Sequence, residues 1–186
     1  MFVLFQIKRI LLKNQNAHLP YLISIGLLVS FILSLAGTLF PADSAGQTLL
    51  FKLDALFAIS AFSCLSAKAA SDKFDIASAG FVVLAIAQGL FLSEIDRAGQ
   101  WNFETASIGI LFMIPAVFMI SYYLLFPKWL RLGGMISMIP FMILLYIRQF
   151  SASENTIILE NTVFLIYQTV TICWAWQIWK NRTVDN

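Results

Sequence analysis

The sequence predicts an all-α integral membrane protein: a bundle of six transmembrane helices with both termini in the cytoplasm, preceded by a short amphipathic interfacial helix. Composition, hydropathy and the distribution of basic residues each indicate this fold. Hydrophobic residues make up 60% of the 186 positions and charged residues only 12%, whereas a soluble domain is about a quarter charged. Lipid is therefore the expected solvent for most of the surface of a single membrane domain, residues 1–186.

Six apolar stretches, separated by short polar or proline-containing segments, supply the predicted spans. Each approaches the ~20 residues that a helix needs to cross about 30 Å of hydrocarbon. The spans are residues 19–40, 49–68, 75–93, 105–126, 128–147 and 156–178, and the breaks include residues 40–43, 71–73, 126–128 and 151–155. Residues 1–18 form a cytoplasmic interfacial segment, because basic and apolar residues are mixed over 2–13 as in an amphipathic helix.

The basic residues predict the orientation, since Lys and Arg collect on the cytoplasmic side of membrane proteins. One side of the predicted topology carries nine of them: Lys8, Arg9, Lys13, Lys68, Lys73, Lys128, Arg131, Lys180 and Arg182. The other side carries three, which are Lys52, Arg97 and Arg148. Both termini are therefore expected in the cytoplasm, and the expected location is the bacterial cytoplasmic (inner) membrane.

Small residues predict which helix faces meet, because membrane helices associate through close backbone contact. The second helix should be the most central, through Ala58, Ser60, Ala61, Ser63, Ser66 and Ala67. The first should meet its neighbour through Gly26, Ser30 and Ser34, and the third through Ala85 and Gly89. The fourth and fifth helices are bulkier and should face lipid more, with Pro115 and Pro140 kinking them.

Several function classes lack the residues that they require. Cys64 and Cys173 have no CxxC spacing and His18 is the single histidine, so no catalytic residue, metal ligand or cofactor is predicted. The chain has no G-x-S-x-G, H-E-x-x-H or P-loop motif. No basic run is interleaved with aromatic residues, so nucleic acid is not an expected partner. An enzymatic role is the least supported.

Polar residues within the spans define a candidate ligand-binding site, because each is costly in a bilayer. Lys52 and Asp54 lie about one turn inside the second helix, and Glu160 and Asn161 about one turn inside the sixth. Helical spacing continues from Lys52 through Ile59, Ser60, Ser63 and Ser66, and from Glu160 through Phe164, Tyr167, Gln168 and Thr171. The predicted site is an outward-facing cavity between helices two, three and six, lined by Lys52, Asp54, Gln88, Glu160, Asn161, Tyr167 and Gln168.

The alternative interpretation of these charges is structural. Lys52 would pair with Asp54 or Glu160, or extend towards the interface, and would only hold helices together. At the cytoplasmic side, spacing predicts a Lys68–Asp72 helical pair. Asp72 and Asp75 together would instead suit Mg²⁺ in a phospholipid enzyme. The acidic outer loop at residues 94–97, with Glu104, is expected to be a solvated loop.

Three functions remain open on the sequence. The first is binding or transport of a small polar solute, and the second is a non-catalytic subunit or sensor that acts through a membrane protein partner or a homo-oligomer. The third is a lipid-modifying enzyme. Length and helix count are similar to the six-helix substrate-binding subunits of energy-coupling-factor vitamin transporters. That resemblance is one of topology, because their alanine-spaced contact motif is not in the first helix, and no residue is carried over.

Overall fold

The computed structural model describes residues 2–41, 44–94, 103–150 and 157–181, and the side chains of 18–41, 44–93, 107–147 and 159–181. Every regular element in these ranges is an α-helix, as predicted. The helices are α1 (Phe2–Gly37), α2 (Ala45–Ser71), α3 (Asp75–Glu94), α4 (Phe103–Ile120), α5 (Lys128–Phe150) and α6 (Ile157–Asn181).

The six helices are arranged as a ring in which each helix packs against the next, and α6 packs against α1. Neighbours run antiparallel, as short connections require. In the α1–α2 pair, for example, Gly26 lies against Ala61 and Gly37 lies against Phe51. The second contact is later in α1 and earlier in α2, so the two helices run in opposite directions. Ser24 Oγ closes the ring by donating a 3.1 Å hydrogen bond to the carbonyl of Ala175 in α6.

The two ends of the bundle differ in the loops that they carry. Loop 1 (residues 38–44) joins α1 to α2 and defines the loop-1 end. Loop 2 (residues 72–74) joins α2 to α3 and defines the loop-2 end, where the turn at 121–127 joins α4 to α5. In the predicted topology the loop-1 end is outside the cell.

Length and composition make the helices suitable for a bilayer. Four segments are long and apolar enough to cross one: His18–Gly37, Ala45–Ser71, Asp75–Ser93 and Lys128–Ile147. The described part of α4, Ser107–Ile120, is apolar but shorter, and α6 carries polar groups such as Gln168 and Gln177 among its described residues. Large apolar side chains are exposed around the bundle, for example Leu22 and Ile136 at 58% and 61%. Such a surface suits lipid tails rather than water.

Two helix boundaries differ from the predictions by more than four residues. The backbone of α1 is one continuous helix from Phe2 to Gly37, with Pro20 inside it, rather than an interfacial helix followed by a span. The side chains before His18 lie outside the described residues, so their expected amphipathic placement stays a prediction. Helix α4 ends at Ile120, six residues before the predicted end, because Tyr123 and Phe126 form turns with backbone bonds to Ile120 and Tyr123. Both side chains are buried, so hydropathy does not distinguish them from helix.

The predicted small-residue faces are correct for part of α2 and wrong for the rest. Its buried face holds Ala55, Ala58, Ala61, Phe62, Leu65, Ser66 and Ala69. The predicted contacts of Ser60, Ser63 and Ala67 with other helices are wrong, because all three are exposed. The hydroxyls of Ser60 and Ser63 donate to carbonyls of their own helix, Leu56 and Ile59, which satisfies them against lipid without a neighbour.

Glycines show where α3 and its partner approach closely. The prediction chose Gly89 for such a contact, but a Cβ added there would meet nothing within 4 Å. The tight position is Gly80, whose Cβ would lie 2.8 Å from the carbonyl oxygen of Ala116 in α4. Only a glycine at Gly80 therefore allows this spacing between the α3 and α4 backbones.

The predictions for the acidic loop at 94–97 with Glu104, and for the break at 151–155, fall on side chains outside the described residues. Pro115 and Pro140 lie within helices α4 and α5, as the sequence predicted.

Candidate functional site

A carboxylate inside the bundle is the centre of the candidate site. Asp54 lies nine residues after Ala45, which is about 14 Å along α2 from its loop-1 end at 1.5 Å per residue. The hydroxyl of Ser30, in α1, donates a hydrogen bond to Oδ1 of Asp54. The side chains of Ser34, one turn further along α1, and Gln168, in α6, lie near this carboxylate. Neutral groups from α1 and α6 thus surround a carboxylate of α2.

The spacing of small residues in α1 explains why these hydroxyls reach Asp54. Gly26, Ser30 and Ser34 recur every four residues and so lie on one face of the helix. At the first of these positions a Cβ would lie 3.0 Å from Cβ of Ala61, so the α1 and α2 backbones are close together there. The short serine side chains then span the remaining gap to the carboxylate.

Thr171 orients the amide of Gln168. Its hydroxyl shares one hydrogen between the backbone carbonyl of Gln168 at 2.8 Å and Oε1 of the same residue at 3.1 Å, and both side chains are buried. Because the amide oxygen accepts from Thr171, the amide nitrogen is the group available to donate to Asp54. Gln168 and Thr171 of α6 are therefore linked through their side chains.

Tyr167 and Gln88 complete the cluster from α6 and α3. Tyr167 is 1% exposed, and its ring packs edge-to-face on Phe141 at 6.1 Å. Its hydroxyl lies within electrostatic reach of Asp54 and next to the side chain of Gln88. Among the described residues, however, no group meets hydrogen-bonding geometry at this hydroxyl. A buried hydroxyl without a partner costs roughly 1–3 kcal/mol, so this position would favour an added polar group.

The cluster has no compensating positive charge among the described residues. Lys68 forms an ion pair with Asp72, but this pair lies at the loop-2 end, away from Asp54. Keeping an ionised aspartate near the centre of a membrane helix costs roughly 2.5–3.5 kcal/mol. The hydrogen bond from Ser30 and the nearby polar side chains of Ser34 and Gln168 reduce this cost, but they add no opposite charge.

Of the seven residues predicted for the site, the structure brings together four: Asp54, Gln88, Tyr167 and Gln168. Lys52 is half-buried, and neither Asp54 nor Glu160 forms an ion pair with it. Lys52 and Asp54 are two residues apart, so they project from nearly opposite sides of α2. The predicted stripe from Lys52 through Ser60 and Ser63 is therefore not the face of α2 that carries Asp54.

Glu160 and Asn161 lie near the loop-1 end of α6. They precede Tyr167 and Gln168 by seven residues, which is about two helical turns. Glu160 is half-buried, while Asn161 is exposed on the outside of the bundle. The sequence missed Ser30 and Ser34 as partners of Asp54, because their spacing was interpreted only as a packing motif. The signal was available for Ser30, which lies seven residues before the end of α1, while Asp54 lies nine residues after the start of α2, so the two have similar depth below loop 1.

A second polar cluster lies at the loop-2 end, and its contacts join loop 2 to the turn after α4. Lys68 Nζ lies 3.1 Å from Oδ2 of Asp72, which confirms the predicted helical pair. The hydroxyl of Tyr123 donates to the same Oδ2 at 2.6 Å and so ties the turn after α4 to loop 2. Tyr123 also packs edge-to-face on Phe74 at 5.4 Å. Both carboxylate oxygens of Asp72 accept hydrogen bonds from Lys68, and Oδ2 also accepts one from Tyr123. This arrangement does not suit a metal ligand beside Asp75.

Other candidate groups do not form sites in the described ranges. Cys64 and Cys173 are free thiols, both half-buried. Within the part of the chain that the structure describes, no three His, Cys, Asp or Glu side chains are grouped for a metal ion.

Comparisons with protein-family models, with curated proteins and with solved structures gave no match to this chain.

Proposed function

We propose that this chain is a membrane protein that crosses the bilayer six times and binds a small polar solute at the cluster around Asp54. The observation that carries the proposal is a partly buried carboxylate within an apolar bundle, bonded to the Ser30 hydroxyl of α1, close to Gln168 of α6 and without a cation among the described residues. Ionisable groups at such depth mark substrate or ion pathways more often than they mark packing.

The position of the cluster supports access from the loop-1 end. Asp54 is about 14 Å from the start of α2, whose 27 residues extend about 40 Å. Asp54 therefore lies in the half of the helix nearer loop 1. In the proposed topology, with both termini in the cytoplasm of a bacterial cell, the solute would enter from outside.

Cysteine labelling tests this topology. In a Cys64→Ser, Cys173→Ser background, Thr38→Cys in loop 1 should react with a membrane-impermeant maleimide added to intact cells. Lys73→Cys in loop 2 should react only after the cells are permeabilised. The opposite pattern would reverse the orientation, and labelling of both positions from outside would contradict an odd number of spans between them.

Native mass spectrometry of protein released from its own membranes tests solute binding. Wild-type protein should carry a small molecule that Asp54→Asn protein lacks. The matched control is Asp75→Asn, because Asp75 is an exposed carboxylate at the other end of the bundle. Glu160→Gln should weaken binding less than Asp54→Asn, since Glu160 is not among the groups that meet Asp54.

Two other results would point away from solute binding. A partner protein that co-purifies equally with wild-type and Asp54→Asn chains, with no small molecule bound, would favour a non-catalytic subunit. A second copy of the chain in that role would give the same result with a homo-oligomer. If Asp54→Asn does not fold, Gln168→Ala provides a second comparison, because it removes a polar side chain next to the carboxylate.

A further inference from the structure

We infer that the solute site takes a ligand with a single positive charge, and that this cation replaces a proton held by Asp54. The inference rests on the proposed function, because it names the chemical class of ligand for the same site. It depends on three features of the cluster: its charge, its oxygen atoms and the Tyr167 hydroxyl.

The charge of the site determines the charge of its ligand. Asp54 contributes one negative charge, and the side chains near it are neutral: Ser30 and Ser34 from α1 and Gln168 from α6, with Gln88 of α3 beside Tyr167. Tyr167 is the other titratable group there. Between Tyr21 and Ala36 in α1, Ile76 and Ser93 in α3, and Asn161 and Gln177 in α6 there is no charged residue. One monovalent cation would therefore balance the site, whereas a divalent ion would leave an excess charge.

The site without a cation needs a proton, because Asp54 is partly buried in an apolar bundle. A carboxylate withdrawn from water without an opposite charge is unfavourable and takes up a proton instead. The exchange is balanced in charge: the protonated carboxyl releases H⁺ to solvent, and the carboxylate then binds M⁺. No electron or further reactant is needed.

The surrounding oxygen atoms suit a compact cation. Ser30 Oγ gives its hydrogen to Asp54 and keeps lone pairs, and the hydroxyl of Tyr167 has no partner in bonding geometry among the described residues. Carboxylate, hydroxyl and amide oxygens are ligands for hard cations, and they also accept hydrogen bonds from an ammonium group. The Tyr167 hydroxyl is buried at 1% exposure, so no water from bulk solvent covers it.

Proton release in weakly buffered detergent solution tests this exchange with the full chain. The titrants are NaCl, KCl and methylammonium chloride, and a pH-sensitive dye reports protons. At least one should release about one proton per bound cation. Tetraethylammonium chloride controls for ionic strength, because it is bulky and has no N–H group. Release by Na⁺ or K⁺ identifies an alkali-metal ion, and release by methylammonium alone identifies the ammonium group of a solute.

Variants make the result specific to Asp54. Asp54→Asn should abolish the release, while Asp75→Asn should keep it. Tyr167→Phe should retain the stoichiometry but require roughly tenfold more cation, as expected for a lost contact worth about one power of ten in affinity. This variant retains the carboxylate and the ring, so it remains informative if Asp54→Asn fails to fold.

Two results would overturn the inference: no proton release by any of the three cations, or equal release by the Asp54→Asn protein. The failure of this inference can be distinguished from that of the proposed function. A neutral or anionic solute that binds in an Asp54-dependent manner, without proton release, would preserve the function and reject the cation. Absence of both a bound solute and proton release would reject both.

Discussion

The hydroxyl of Ser30 donates a hydrogen bond to Oδ1 of Asp54, and this bond connects α1 to α2 one turn of α1 beyond the contact of Gly26 with Ala61. A polar contact and a close backbone contact therefore lie on the same face of α1. The same sequence pattern, small residues at four-residue spacing, produces both.

Ser30→Ala should lower the free energy of unfolding by about 1–2 kcal/mol, because it removes the hydrogen-bond donor from a partly buried carboxylate. The measurement is SDS-induced unfolding in mixed micelles, followed by tryptophan fluorescence. Ser63→Ala is the matched control, since that hydroxyl is exposed and bonds only to its own helix. Its effect should stay within about 0.5 kcal/mol. Equal effects of the two substitutions would contradict the role of Ser30.

Gly80→Ala should destabilise the bundle by about 1–3 kcal/mol, because the new Cβ would lie 2.8 Å from the carbonyl oxygen of Ala116 and force α3 away from α4. Gly89→Ala is the control on the same helix, and its Cβ would meet nothing within 4 Å. It should leave stability unchanged or raise it by up to about 1 kcal/mol, since alanine is the better helix former. Thermal unfolding in detergent can rank the three proteins. If the Gly89 variant were the less stable one, the described α3–α4 contact would be wrong.

The sequence predicted elements better than it predicted faces. Apolar length and polar breaks indicated six helices, and four-residue spacing correctly oriented Gly26, Ser30 and Ser34 towards α2. The choice between Lys52 and Asp54 could not be made in the same way. Both are charged, they are two residues apart, and each is compatible with a polar stripe. Only contact with α1 and α6 shows that Asp54 is on the inner side.

The tight position in α3 was missed for a related reason. Gly80 and Gly89 are equivalent as sequence features, and their difference depends on which α4 residue lies opposite. The end of α4 was also missed, because Tyr123 and Phe126 are buried in a turn and their apolarity resembles that of a span. Both errors concern tertiary contacts, which periodicity within a single helix does not contain.

Lys73→Gly should stabilise the protein by about 0.5–1 kcal/mol. Lys73 follows the end of α2 with a φ of 65°, the left-handed region in which a Cβ is unfavourable and glycine is preferred. Lys73→Ala should give no such gain, because alanine keeps the Cβ and removes only the charge. Unfolding curves of the two variants and the wild type decide the matter: a gain from alanine that matches the gain from glycine would attribute the effect to charge instead of backbone conformation.

Tyr123→Phe should weaken the loop-2 end without affecting solute binding at Asp54. The lost bond runs from the Tyr123 hydroxyl to Oδ2 of Asp72 at 2.6 Å, and a hydrogen bond to a carboxylate is worth about 1.5–3 kcal/mol. Asp72 is partly exposed and also paired with Lys68, so a loss of about 1.5 kcal/mol is expected. Tyr122→Phe is the matched control, because Tyr122 is 63% exposed. Since Asp72 lies 18 residues after Asp54 along α2, about 27 Å at 1.5 Å per residue, stability should fall while bound solute in native mass spectra stays at the wild-type level. Loss of the solute together with stability would show that the two ends of the bundle are coupled.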